Sequence, residues 1–216
     1  MVNCGVSFGL CAIRVTTLAD NGLPGGKYVV SHKPVEITYN PNIDTGQTFV
    51  SRSGCGCSVA RFRADDVFNW FEFSFSEDAL EPQIEALMLG DTPILDSGDT
   101  VGVNGVGALA CDVSPPYVGL EFWTQHIVGS GKDGIRPYIH WVYPATRWQR
   151  GNNSANESIA RRVLNGFSRT NPMWGSGPYG DGPPDGQDVR EFAWWQTNHA
   201  LPAATDCTSA TIAPGS

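Results

Sequence analysis

Charge is what this 216-residue sequence has least of: Asp, Glu, Lys and Arg make up 17%, against about 25% in an average globular domain. Long apolar runs are missing as well. No stretch approaches the roughly 18 apolar residues of a membrane-spanning helix, so none is expected. The start, Met1-Val2-Asn3-Cys4-Gly5, lacks the basic and apolar regions of an export signal or lipoprotein signal. Folding in a reducing cytoplasm is therefore expected, and Cys4, Cys11, Cys55, Cys57, Cys111 and Cys207 read as free or buried thiols. A cationic excess is also absent. Fourteen Lys and Arg face 22 Asp and Glu, for a net charge of -8, which argues against a basic reader of nucleic acid. Catalytic signatures are missing too: no Gly-x-Ser-x-Gly elbow, no His-x3-His pair, no Gly-x4-Gly-Lys loop and no dinucleotide fingerprint. Cys55-x-Cys57, even joined by Cys4 and Cys11, lacks the spacing of a structural zinc site. Adjacent acids such as Asp65-Asp66 would point to opposite faces of a strand, and Glu77-Asp78 suit a helix N-terminus. No enzymatic activity, metal or cofactor is expected.

What the chain does contain is punctuation and aromatic bulk: 25 Gly, 15 Pro, seven Trp and ten Phe. Short alternating apolar runs end repeatedly in Gly, Pro, Asn or Asp. Strands are predicted at Cys11–Leu18, Tyr28–Ser31, Val35–Tyr39, Thr48–Ser51, Val59–Phe62, Val67–Phe75, Val101–Leu109, Val118–Val128, Pro137–Tyr143 and Val189–Thr197. In Val67–Phe75 one side carries Asn69, Phe71, Phe73 and Phe75 and should face the core. One helix is predicted over Ser76–Gly90, with acids in its first turn, Pro82 near its start, an apolar stripe of Leu80, Ile84, Leu87 and Met88, and Gly90 as its stop. Ser158–Phe167 fits a helix by period, although its surroundings read as β. The expected architecture is mainly β: two packed antiparallel sheets, sandwich- or barrel-like, with one short flanking helix. Residues 1–200 form one domain, and 201–216 an extended, loosely held arm.

Charge is also distributed unevenly. From Ala64 to Gly131 there are twelve acids and no Lys or Arg, whereas Lys132 to Arg169 holds seven cations and two acids. An acidic patch on one copy could meet a basic patch on the next, so self-association is expected.

One segment narrows the function. Gly166-Phe-Ser-Arg-Thr-Asn171-Pro172-Met-Trp174-Gly175-Ser-Gly177-Pro178 resembles a signature of major tail tube proteins in long, flexible-tailed bacteriophages, most closely those of actinobacterial phages. Gly54–Cys57 before an aromatic strand, Leu80-Glu81-Pro82 through Leu89-Gly90, and Phe192–Thr197 followed by Leu201-Pro202 and Cys207 are similar in order and spacing. Together they cover most of residues 55–207. The resemblance implies a strand at Ser158–Phe167 and a structural motif of Asn171, Pro172, Trp174, Gly175, Gly177 and Pro178. It also implies a virion protein, assembled in the host cytoplasm into stacked hexameric rings that form a tube. Its partners would be other copies of itself and the tape measure, terminator and baseplate proteins, with double-stranded DNA passing through unbound. Glu72 and Glu121, on the polar sides of their predicted strands, are the expected lumen acids. They would repel the duplex within a screening length of about 8 Å. The alternatives are a carbohydrate-binding β-sandwich using Trp194, Trp195 and Tyr138, or another tail ring protein of the same fold, a terminator or baseplate component.

Overall fold

The alternating apolar runs do fold as strands. A computed structural model describes residues 6–34, 36–52, 54–55, 58–78, 81–105, 114–129, 131–152, 154–155, 160–205 and 210–211. The first half holds β1 (Val6–Leu18), β2 (Pro24–Ser31), β3 (Glu36–Asp44), β4 (Thr48–Arg52), β5 (Ser58–Arg63), β6 (Val67–Glu77), α1 (Pro82–Leu89), β7 (Thr92–Asp96) and β8 (Asp99–Asn104). The second holds β9 (Tyr117–Val128), β10 (Gly131–Lys132), β11 (Tyr138–Arg150), β12 (Ser154–Ala155), β13 (Ala160–Ser168), β14 (Ala193–Thr197) and β15 (Ala210–Thr211). The protein is mainly β and antiparallel, with a single short helix among the described residues.

One sheet dominates, in the order β15-β2-β1-β9-β11-β13-β6-β3, while β4–β5 and β7–β8 form separate hairpins. The large sheet doubles back on itself, so its two ends act as the two layers of a sandwich. The bend lies in β11. Its first half pairs with β14 through Tyr138–Val142 and its second with β13 through Thr146–Arg150. Between Tyr143 and Thr146 the register against β9 shifts, and such a bulge bends a strand. Across the resulting core, Phe73 of β6 meets Tyr143 edge-on with ring centres 4.7 Å apart, and Tyr39 of β3 lies 5.5 Å from Trp141. Phe73 and Phe75 are buried and Phe71 packs against them, the face that alternation in β6 assigned to the core.

Helix α1 closes one end of this core with Ile84, Met88 and Leu89. Pro82 opens it and Gly90, at φ 74°, ends it in the left-handed conformation that glycine tolerates. The helix starts later than its composition suggests. Ser76 and Glu77 pair with Val163 and Arg162, so β6 extends through Glu77, and the residue before a proline disfavours helical backbone. Ala79 and Leu80 lie outside the described residues.

β13 replaces the helix-like period of Ser158–Phe167. Flanked by β11 and β6, it satisfies its backbone groups on both sides, and pairing overrides periodicity. Of the predicted arm, residues 201–205 and 210–211 are described, and these are held: Thr205 N donates to Val30 O, His32 Nε2 to Pro202 O, and β15 pairs with β2. Part of the charge imbalance along the sequence is closed within one chain, by three of the seven cations and three of the twelve acids. Arg150 joins Glu85 and Asp91, Arg162 joins Glu85, and Arg161 Nε lies 2.9 Å from Asp78 Oδ1. These pairs dock α1 and the end of β6 onto β11 and β13. That imbalance therefore does not by itself signal association.

Candidate functional site

With one face of β6 committed to the core, its alternate residues point out. The second half of β11, with β13, β6 and β3, presents an open groove of about 620 Å³. Pairing aligns its side chains in rows. Gln149, Asn165, Ser74 and Thr38 form one, and Arg147, Phe167, Glu72 and Asn40 the next, with Arg147 at the row's β11 end donating from Nε to Pro115 O. Glu72 is exposed, as expected of it. Its Oε1 accepts a hydrogen bond from Asn42 Nδ2 at 2.8 Å, and Asn42 Oδ1 accepts from Asn69 Nδ2 at 3.0 Å. Trp70 and Phe167, each 40% exposed, flank the groove. With them, its lining holds Phe73, one carboxylate, amides and hydroxyls, and no Lys or Arg. Such a lining hydrogen-bonds water and neutral polar groups, and the cation nearest to it in the pairing is Arg147 at the end of the Glu72 row.

Glu121 departs from expectation: it is only 2% exposed and does not face solvent. The second face of β1, β9 and β11 is covered by the chain from Asn171 to Thr197, and Glu121 sits beneath it. Arg14 of β1, opposite Glu121 in the pairing, donates from Nε and Nη2 to the two carboxylate oxygens at 2.6 and 2.7 Å. Arg14 Nη2 also reaches Asp181 at 3.0–3.1 Å, and the guanidinium lies 3.5 Å from the centre of the Tyr179 ring. His140 Nε2 is 3.2 Å from Glu121 Oε1, with its ring stacked on Trp123 at 4.2 Å. Burial alone would raise the Glu121 pKa; Arg14 and His140 outweigh it and hold the carboxyl at about 2. Burial also opposes the Arg14 charge, but Glu121 and Asp181 outweigh it and keep the guanidinium protonated. Arg14, Glu121 and His140 are each no more than 3% exposed, so the cluster locks the covering segment to the sheet and gives a solute no route to Glu121. Trp123, two residues beyond Glu121 on the same face, gives no distinguishing sign in the sequence, because Trp70 stands as near to the exposed Glu72.

The Asn171–Pro178 motif anchors the covering segment. Asn171 Nδ2 donates to Gly22 O and Pro144 O, its Oδ1 accepts from Met173 N, and its own N–H donates to Arg190 O. Trp174 is 3% exposed, packed with Val142 and Val189. It also lies against Gly119, where a Cβ would overlap its ring. Gly175 and Gly177 have φ of +64° and +102°, turns that favour glycine. Pro172 is exposed and Pro178 half-buried.

The aromatic platform does not assemble. Neighbouring residues of a strand face opposite ways, so Trp195 packs edge-on against His140 while Trp194, 52% exposed, lies beside Trp141. Tyr138 stands apart, under the Lys132 ammonium. His126 is fully buried, with Nδ1 near Arg136 O and Asp133, and with Gln196 Nε2 donating to its Nε2. Among the described residues no group of three His, Cys, Asp or Glu is arranged to hold a metal ion. Cys11 and Cys55 are free thiols, and burial raises the Cys11 pKa. Cys4, Cys57, Cys111 and Cys207 lie outside the described residues.

The fold and groove thus define a mainly antiparallel β protein with a mixed aromatic and polar, carboxylate-bearing sheet face and a strongly anchored second layer. No protein-family model matches this chain, and no curated protein matches it. Among the described residues no helix is long and apolar enough to cross a membrane.

Proposed function

We propose that this chain is a structural subunit of the tail tube of a long, flexible-tailed bacteriophage, stacked as hexameric rings around passing double-stranded DNA and without enzymatic activity. The observation that carries the reading is the groove on the β11–β13–β6–β3 face, whose lining holds Glu72 and no Lys or Arg, with Arg147 set at its β11 end. Its amides, hydroxyls and Glu72 suit a wall that must let a polyanion slide past, because each Lys or Arg there would bind a phosphate and release counterions. The edge strand adds support. Among the described residues β3 ends the sheet with one side unpaired, and ring closure removes such an edge. With Glu121 buried, Glu72 is the remaining lumen acid of the original pair. The tape measure, terminator and baseplate proteins are the partners this role requires, and the virion is its place of action.

Negative-stain microscopy and mass photometry of the purified chain test the reading. Rings or tubes are expected. A 23.3 kDa species alone at all concentrations and salts, with virions lacking the protein, refutes it. Trp70 and Phe167 beside the groove amides favour a second reading, carbohydrate binding at the same face. Monomers that bind a neutral glycan and lose it on Trp70→Ala would select that reading. Discrete single rings without tubes would select a terminator or baseplate role.

A further inference from the structure

Two hairpins have no third strand among the described residues, and their chemistry is opposite. In β4–β5, Phe49 and Phe62 pair across the strands with ring centres 6.4 Å apart and are 55% and 65% exposed. Arg61 and Arg63 occupy the other face by alternation, and Arg52 ends β4. Arg63 is paired with Asp66, whereas Arg52 and Arg61 have no ion pair among the described residues. Between Thr48 and Arg63 there is no acid. Hairpin β7–β8 reverses this. Ile94, Leu95 and Val101 are 49%, 61% and 59% exposed, and the turn is flanked by Asp96 and Asp99, paired across it. Thr92 to Asn104 contains no cation.

A two-stranded hairpin is marginally stable in water by itself; β7–β8 rests against α1 on one side, and the apolar side chains that both ribbons leave exposed invite a neighbour. Each hairpin supplies what the other lacks: two phenylalanines against exposed aliphatic side chains, of which Ile94 and Leu95 offer one to each face of β7, and two arginines against two aspartates, none of the four in an ion pair among the described residues. The arginine stems are long enough to lie along apolar surface while their heads reach the aspartate tip. We infer that β4–β5 of one copy seats on β7–β8 of a second copy. The two patches differ, so the contact is heterologous and propagates from copy to copy rather than closing a pair. This deepens the tube reading and rests on it for the assembly in which the second copy is met.

Charge reversal tests it, because all four positions are exposed and the fold does not depend on them. Arg52→Glu with Arg61→Glu, and separately Asp96→Arg with Asp99→Arg, should each retain wild-type melting and raise the concentration for half-assembly by about tenfold or more. A 1:1 mixture of the two variants should recover assembly, since the reversed arm of one then meets the reversed tip of the other. The quadruple variant should recover it too. Wild-type tubes whose assembly is unchanged by either reversal, or reversals that the mixture does not rescue, overturn the hairpin contact and leave the tube reading standing. A wild-type chain that never assembles overturns both.

Discussion

Replacing Glu121 by Gln removes the charge that holds Arg14 beneath the covering segment. A carboxyl held at about 2 in the fold, against an ordinary 4.5, contributes about 3 kcal/mol at neutral pH. Because the folded value is depressed, that contribution is complete above pH 4.5 and is lost as pH falls from 4.5 through 2. Mutagenesis of comparable buried pairs gives a cost of about 3–5 kcal/mol when one partner is removed. Two independent routes therefore agree. Urea unfolding followed by tryptophan fluorescence at pH 7 should show Glu121→Gln less stable by about 3–5 kcal/mol. Between pH 4.5 and 2 it should lack the share of the wild-type decline that Glu121 contributes. Asp181 is too exposed, at 18%, to compensate a buried guanidinium by itself. Replacing both partners, Arg14→Met with Glu121→Leu, should restore most of the loss, because a well-packed apolar pair needs no desolvation of charge. A single variant within 1 kcal/mol of wild type, or a double variant worse than the single, would refute the view that this ion pair is sealed from water.

Trp174→Ala should cost about 3–5 kcal/mol in the same assay, the range for emptying a buried aromatic site. Gly119→Ala should cost about 1–3 kcal/mol by pushing its methyl into the Trp174 ring, and Trp174→Leu in that background should recover part of it; additive losses would show that the two do not touch. Glu77 behaves oppositely to Glu121. Burial, then Glu81, raise its pKa from 4.5 to about 7, so its contribution is complete below pH 4.5 and lost as pH rises through 7. Glu77→Gln should therefore gain about 3 kcal/mol relative to wild type at pH 9, and equal stability of the two at pH 9 would contradict this. For assembled tubes, no affinity for duplex DNA is expected at moderate salt, and Glu72→Lys should slow DNA ejection at unchanged tube length; unaltered ejection would place the lumen elsewhere.

Alternation made most of the strands legible. Phe71, Phe73 and Phe75 marked the core face of β6, and Gly90 marked the end of α1, because both signals are local. Where a distant partner decides, local signals fail. Ser76 and Glu77 carry helix-start chemistry yet pair with β13, and β13 itself carries a helical period inside a sheet. At the site, Glu72 and Glu121 look alike in sequence, each a lone acid on the polar side of an aromatic strand. They differ because the chain near Asp181 returns to cover one and not the other. No period within β9 encodes that return.

The lock beneath the covering segment also sets the order in which the molecule can form. Glu121 follows Arg14 by 107 residues and Asp181 follows it by 167. A chain leaving the ribosome holds a solvated Arg14 until nearly five-sixths of its length has been made, and only then is the face around Trp123 covered. Contacts so distant in sequence close slowly, because loop entropy is lost before any contact offsets it. In that interval the chain exposes sheet surface that attracts other unfinished chains. The covering segment is thus the last part of this face to be sealed, and chaperones that hold partly made sheets are expected to raise the folded yield.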